Sequence, residues 1–204
     1  MNAQPGARAL STAIIKAVLE ARAPVRCELP GLRPAAVLVP LFTDPTARST
    51  HLWLIQRTED GGAHGGQVAL PGGKPCPTDV DLQATALREA WEELGIPPND
   101  VQVLGCLDDY PTITGFRIRP YVGWIPSDFV PRPDAREVAR HFKAPLSLFL
   151  ERGARNWVHW AEFRRLVRSY RVDGAIVWGA TAAILSKFGE ILVRAEATTQ
   201  PQDA

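Results

Sequence analysis

Cysteine is scarce and scattered. Its three positions, Cys27, Cys76 and Cys106, lie far apart and form no Cys-x-x-Cys pair. That excludes a disulfide framework and points to free thiols in a reducing compartment. The four histidines are equally dispersed, so no ligand cluster for zinc is on offer. No apolar run reaches the ~20 residues of a membrane-spanning helix. The start of the chain lacks the uninterrupted apolar stretch of a secretory signal. Excess charge is missing too: 23 Lys and Arg face 22 Asp and Glu, a net charge of +1. Neither nucleic acid nor a membrane surface is therefore expected as the main partner. The opening is basic and acid-poor, with no acid before Glu20, as in a mitochondrial presequence, yet the cytoplasm is the expected compartment. No internal repeat and no second domain are visible.

What is present is enough apolar material for one full core: 46% hydrophobic residues in 204. Leu10, Ile14, Ile15, Val18 and Leu19 recur at helical spacing and predict an amphipathic helix over 9–22, packed against the domain. Residues 23–33 read as a connector. Strands are predicted at 35–42 and 51–57, joined as a hairpin through Asp44-Pro45-Thr46. A glycine-rich loop at 58–66, which holds His64, leads to a short strand at 67–70. A helix over 80–94 should stop at Gly95, with Pro97-Pro98 behind it. Strands follow at 101–107 and 116–125, separated by a turn at 108–112. Arg117 and Arg119 share one side of the second strand, facing either substrate phosphates or solvent. A loop at 126–134, strands at 156–161 and 166–172 and a helix from 174 to 192 complete the reading. Trp157, Trp160 and Phe163 are expected to pack in the core or at an edge. The expected organisation is an N-terminal helix and connector at 1–33, one domain at 34–195 and a disordered polar tail at 196–204.

The chemistry is concentrated in Gly72 to Ile96, GGKPCPTDVDLQATALREAWEELGI. A helix turns about 100° per residue, so Glu89 and Glu93 lie about 40° apart, with Glu92 about 60° to the other side. The three carboxylates share a face; Leu87, Ala90, Trp91 and Leu94 fall opposite, suited to a core. Like charges at i and i+4 cost an isolated helix a few tenths of a kcal/mol. A cation held between them removes that cost, and oxygen ligands suit Mg²⁺ or Mn²⁺. Gly72 and Gly73 permit close backbone approach to a ligand, and exposed N–H groups in such a loop hold phosphate oxygens. Carboxylates that gather metal beside a phosphate-binding loop are what pyrophosphate hydrolysis requires.

The stretch resembles the Nudix box. Arg88-Glu89-Ala90-Trp91-Glu92-Glu93-Leu94-Gly95-Ile96 fits its second half without a mismatch. In the first half the usual Gly, fourteen residues before the Arg, is Lys74, and the usual Glu, eight before it, is Val80. Sliding by one residue gives Gly73 and Asp79, a longer loop with Asp for Glu. That variant is similar to the coenzyme A diphosphatase branch, as are Arg57, Thr58 and Gly66-Gln67-Val68-Ala69 with Pro71-Gly72-Gly73. Gly62 replaces an Arg of that branch and Leu70 a Phe. The likeness runs from about Ala35 to Gly189.

The resemblance implies the Nudix fold, an α/β class α/β/α sandwich around a mixed sheet. It implies Mg²⁺ or Mn²⁺ held by Glu89, Glu92 and Glu93, with Arg88 orienting the acids. Glu92, Glu93, Arg88 and Glu137 are the expected catalytic set. Arg57, Gln67, Gly72, Gly73 and Lys74 are the expected substrate contacts, with Arg57 and Lys74 meeting phosphate charge. Glu137 has a competing reading as an ion-pair partner of Arg136 or Arg140. The expected substrate is a small nucleotide diphosphate: coenzyme A, cut to phosphopantetheine and adenosine 3′,5′-bisphosphate, or alternatively ADP-ribose, NADH or a dinucleoside polyphosphate. A catalytically silent nucleotide sensor is the remaining alternative, and a homodimer is an open expectation.

Overall fold

The computed structural model describes residues 10–59, 65–150, 156–160 and 165–199. His64, Gly62 and Phe163 lie outside these residues, as do the side chains of Trp157 and Trp160.

The chain opens with α1 (Thr12–Glu20), whose N-cap Ser11 accepts the Ile14 N–H and whose Ile15 and Leu19 are buried. β1 (Arg33–Asp44) and β2 (Ser49–Arg57) form the expected hairpin, paired from Leu41↔Leu52 to Asp44↔Ser49. Two short strands follow, β3 (Val68–Ala69) against β2 and β4 (Gly72–Gly73) against β1. α2 (Leu82–Leu94) is capped by the Asp81 carboxylate on the Ala84 N–H and ends on left-handed Gly95, φ 73°. β5 (Gln102–Cys106), β6 (Tyr110–Pro111), β7 (Phe116–Trp124) and β8 (Val138–Pro145) complete the main sheet. Its backbone order is β3-β2-β1-β7-β5, and the β1–β7 pair is parallel while the other pairs are antiparallel. This is the mixed sheet the resemblance implied.

Both faces of the sheet are covered, which is why β1 is apolar almost throughout. Alternation splits it in two. Val39 and Leu41 face one cluster with α1 and the C-terminal helix; Ala36, Leu38 and Phe42 face another with Ala86, Ala90 and Leu94 of α2. The sheet thus sits between helices, and α1 belongs to the same core as the rest.

After α3 (Ser147–Leu150), the strands β9 (Asn156–Trp160), β10 (Arg165–Val172) and β11 (Ala175–Val177) form a second, antiparallel sheet. Here the structure differs from the sequence reading. The predicted helix from 174 begins only at Gly179, because Asp173 and Gly174 take positive φ (47° and 78°) and turn 175–177 back onto β10. An apolar run of that length suits a strand as well as a helix turn. α4 (Gly179–Thr199) then runs past the expected tail boundary at 196, because Val193 to Ala197 contains no helix breaker. The turn at 108–112 contains β6, and Trp91 is 52% exposed rather than buried. Three residues further round α2, Leu94 takes the core position instead. Among the described residues no helix is long and apolar enough to cross a membrane.

Candidate active site

The glycine bend and α2 meet at one carboxylate. Glu93 is fully buried. Its Oε2 accepts the Gly72 N–H at 2.8 Å and its Oε1 accepts Arg57 Nη2 at 2.9 Å. The same nitrogen donates to the Gly72 carbonyl at 2.9 Å. Strand β2, strand β4 and helix α2 are therefore tied together at Glu93. Burial pushes its carboxyl from 4.5 up to about 7, against the pull of Arg57 and the Gly72 N–H, and the charges of Glu89 and Glu137 add to the rise.

Arg88 organises the other side of the helix. Its Nε and Nη2 hold Asp79 in a two-pronged pair at 2.9 and 3.0 Å. Nη1 reaches Glu92 at 2.7 Å, and Nη2 also contacts Glu89 at 3.0 Å and the Lys74 carbonyl at 2.9 Å. Asp79 is fixed further by the Cys76 N–H and the Thr85 hydroxyl, each at 2.9 Å. These bonds, the Arg88 pair first, hold its carboxyl far below the usual range. Val80, next to it, is 90% exposed. The register shifted by one residue is thus the one the fold uses: Asp79, not position 80, locks the loop to the helix. Asp79 was absent from the predicted site set, although its spacing from Arg88 pointed to it.

Glu89 lies against Gly73. A Cβ on Gly73 would fall 2.4 Å from Glu89 Oε1. Burial raises the Glu89 carboxyl, Arg88 lowers it, and Glu92 and Glu137 raise it again. Glu137 is exposed at the start of β8; Arg136 pairs with Asp134 and Arg140 with Asp173, so the competing ion-pair reading is not what the structure shows. Glu89, Glu93 and Glu137 repel one another beside the bend, and an all-oxygen set of that kind suits a hard divalent cation. Among the described residues no three acids, histidines or cysteines stand close enough to hold an ion as they are. Glu92, half-exposed, is paired with Arg88.

With that geometry in view, the family match decides the assignment: the NUDIX domain family matches residues 32–168. The chain belongs to the Nudix family. An uncharacterized Nudix hydrolase NudL from Pectobacterium atrosepticum is 41% identical over 167 residues, covering 76% of this chain and 84% of that protein. Two solved structures share the fold. A Caenorhabditis elegans Ap4A hydrolase binary complex has a TM-score of 0.51 at 14% identity, covering 80% of this chain and 96% of that one. The Mycobacterium smegmatis Nudix hydrolase RenU has a TM-score of 0.51 at 19% identity, covering 89% and 99%. The chain is a Nudix diphosphatase, a hydrolase of phosphoric anhydrides.

Several of the cations expected to meet substrate have partners within the protein. Arg57, expected on substrate phosphate, spends its guanidinium on Glu93 and Gly72. Gln67 supports it through its backbone, whose carbonyl accepts the Arg57 N–H at 3.0 Å. Arg119 forms a two-pronged pair with the buried Asp109 at 2.8 and 3.0 Å, and Arg26 and Arg117 converge on the same carboxylate. Neither strand arginine is left facing solvent or phosphate alone. Lys74 remains exposed, its amine 5.7 Å from the centre of the Phe116 ring.

Arg57→Ala is therefore expected to lower kcat about 10–100-fold, as losing the partner of an active carboxylate does. It should also cost about 1–2 kcal/mol of stability, since the lost bonds are charged but a third exposed. Kinetics and thermal melting check both; a pure rise in KM would return Arg57 to substrate binding. The two glycines should separate stability from activity. A Cβ on Gly72 would stand 2.3 Å from the Ala36 carbonyl and 2.6 Å from Val37 Cα. Gly72→Ala should cost about 3 kcal/mol, because rigid backbone must move. Gly73→Ala meets only the mobile end of Glu89, so folding should change by less than about 1 kcal/mol while kcat falls about 10–100-fold. Equal melting points for the two variants would contradict this division.

Proposed function

We propose that this chain hydrolyses the diphosphate linkage of coenzyme A or an acyl-coenzyme A, with Mg²⁺ or Mn²⁺, to phosphopantetheine and adenosine 3′,5′-bisphosphate. One observation carries the choice of substrate class. Asp79 anchors Arg88 while Val80 faces solvent, which supports the lengthened loop that the coenzyme A branch displays.

In this reading Glu89, Glu92 and Glu93 hold the metal. Once bound, it supplies charge neutralisation at the phosphates and a more acidic water. The protein's own part is positional and acid–base. Gly72 and Gly73 present the diphosphate to the acids. Arg88 holds the loop and helix in one frame. Arg57 and the Gly72 N–H keep Glu93 in a single orientation, one on each carboxylate oxygen. Glu137, which lies outside the helix, is a further acid within electrostatic range of Glu89 and Glu93. Water adds its oxygen to one phosphorus, the bond from that phosphorus to the bridging oxygen breaks, and the water proton passes to a carboxylate.

A panel of coenzyme A, ADP-ribose, NADH and dinucleoside polyphosphates, with products weighed by mass spectrometry, tests the substrate. Coenzyme A should lead by at least about tenfold in kcat/KM. A lead by ADP-ribose overturns the coenzyme A assignment, and nucleotide binding without turnover of any compound supports the sensor alternative.

A further inference from the structure

Arg26, Arg117 and Arg119 all converge on Asp109, so their charge has a common carboxylate. Two neighbouring cations do not. Arg33 and Phe116 are paired across β1 and β7, and the guanidinium carbon lies 4.1 Å from the centre of the Phe116 ring. The Lys74 amine stands over the same ring at 5.7 Å. Both side chains are exposed, and among the described residues neither has a carboxylate partner; the Arg33 guanidinium meets only the Thr114 carbonyl, at 3.5 Å. A single aromatic ring attracts each cation but does not neutralise either. Two cations beside one ring, neither with a carboxylate partner, leave a positive potential there that an anion lowers.

The position of this pair relative to the catalytic bend is fixed by register. Gly73 pairs with Ala36, three residues along β1 from Arg33. At about 3.3 Å per residue that is roughly 10 Å. Lys74 directly follows Gly73, and its carbonyl is held by Arg88. A further anionic group carried beyond a diphosphate at Gly72 and Gly73 would meet Arg33 across that distance.

We propose that Arg33 and Lys74, spaced by Phe116, form a subsite for a phosphate monoester carried beyond the diphosphate, such as the 3′-phosphate of coenzyme A. The inference rests on the proposed function for its natural ligand but not for its test. Phosphate is favoured over carboxylate because its three oxygens serve both an arginine fork and an ammonium.

The test compares each ligand with and without the extra phosphate at constant ionic strength. Calorimetry measures adenosine 3′,5′-bisphosphate against AMP, and kinetics measure coenzyme A against 3′-dephospho-coenzyme A. The wild-type protein should favour the phosphorylated member about tenfold. Arg33→Ala should bring that ratio close to one, and Arg33→Lys should restore most of it. An unchanged ratio in Arg33→Ala overturns the proposal, as does an equal loss for both members of a pair, which marks general attraction of anions. If neither coenzyme A form turns over, the coenzyme A assignment fails, and the calorimetric ratio still decides the subsite.

Discussion

Glu93→Gln is expected to lower kcat by roughly 10²- to 10⁴-fold while leaving the fold intact. The carboxylate accepts on both oxygens, from Gly72 N–H and from Arg57. A carboxamide has one accepting oxygen and one donating nitrogen. Whichever way it turns, a donor meets a donor, and one of the two bonds is lost. A lost bond to a charged group costs about 1.5–3 kcal/mol, but burying a neutral amide instead of a carboxylate returns part of that. Stability should therefore change by only about 1 kcal/mol. Activity has no such compensation, because in the proposed reaction a neutral amide is a poor ligand for the divalent cation. Kinetics paired with thermal unfolding measure both effects. Turnover at the wild-type rate in a folded Glu93→Gln protein removes Glu93 from the reaction.

The same residue shows how far a sequence can be read. The helix was legible because two local signals agree: apolar periodicity and a stopping Gly95, while the Asp81 cap that sets its first turn was not read. So was the grouping of the acids, which follows from helical geometry alone. The burial of Glu93 was not legible. A glutamate among glutamates reads as a solvated face, and what buries this one arrives from 21 and 36 residues away, as Gly72 and Arg57. The same long-range pairing is why the ion pair of Arg57 was not legible: a cation near a phosphate loop shows its carboxylate partner only once the chain is folded. Asp109 is a parallel case. Its partners sit on the connector and on β7, so Asp108-Asp109 looked like an ordinary turn, and Arg117 and Arg119 looked uncommitted. At 175–177 the failure was different. Three apolar residues fit a helix stripe or a strand equally, and the positive-φ turn at Asp173-Gly174 decides the matter.

Removing divalent metal is expected to abolish turnover and to leave a pH signature in stability. Glu89 and Glu93 both have raised carboxyls, with burial as the first cause and Glu137 as a further one for each. The sign follows from proton binding. Between 4.5 and about 7 the folded state holds a proton on Glu93 that the unfolded state has released. The contribution of Glu93 is thus fully present below 4.5 and is lost as pH rises through about 7. The loss is on the order of 3 kcal/mol, at about 1.4 kcal/mol per pH unit. Acids with lowered carboxyls, Asp79 first among them, lose their contribution only at lower pH and do not mask this window. In chelator the protein should therefore melt at lower temperature as pH rises from 5 to 8, and Glu93→Gln should flatten that slope. Saturating Mg²⁺ or Mn²⁺ should restore activity and raise the melting point most at the alkaline end, where Glu89 and Glu93 are ionised and repel each other most. An equal gain at pH 5 and pH 8 would mean that the cation binds somewhere other than these carboxylates, and full activity in chelator would separate the hydrolysis from them altogether.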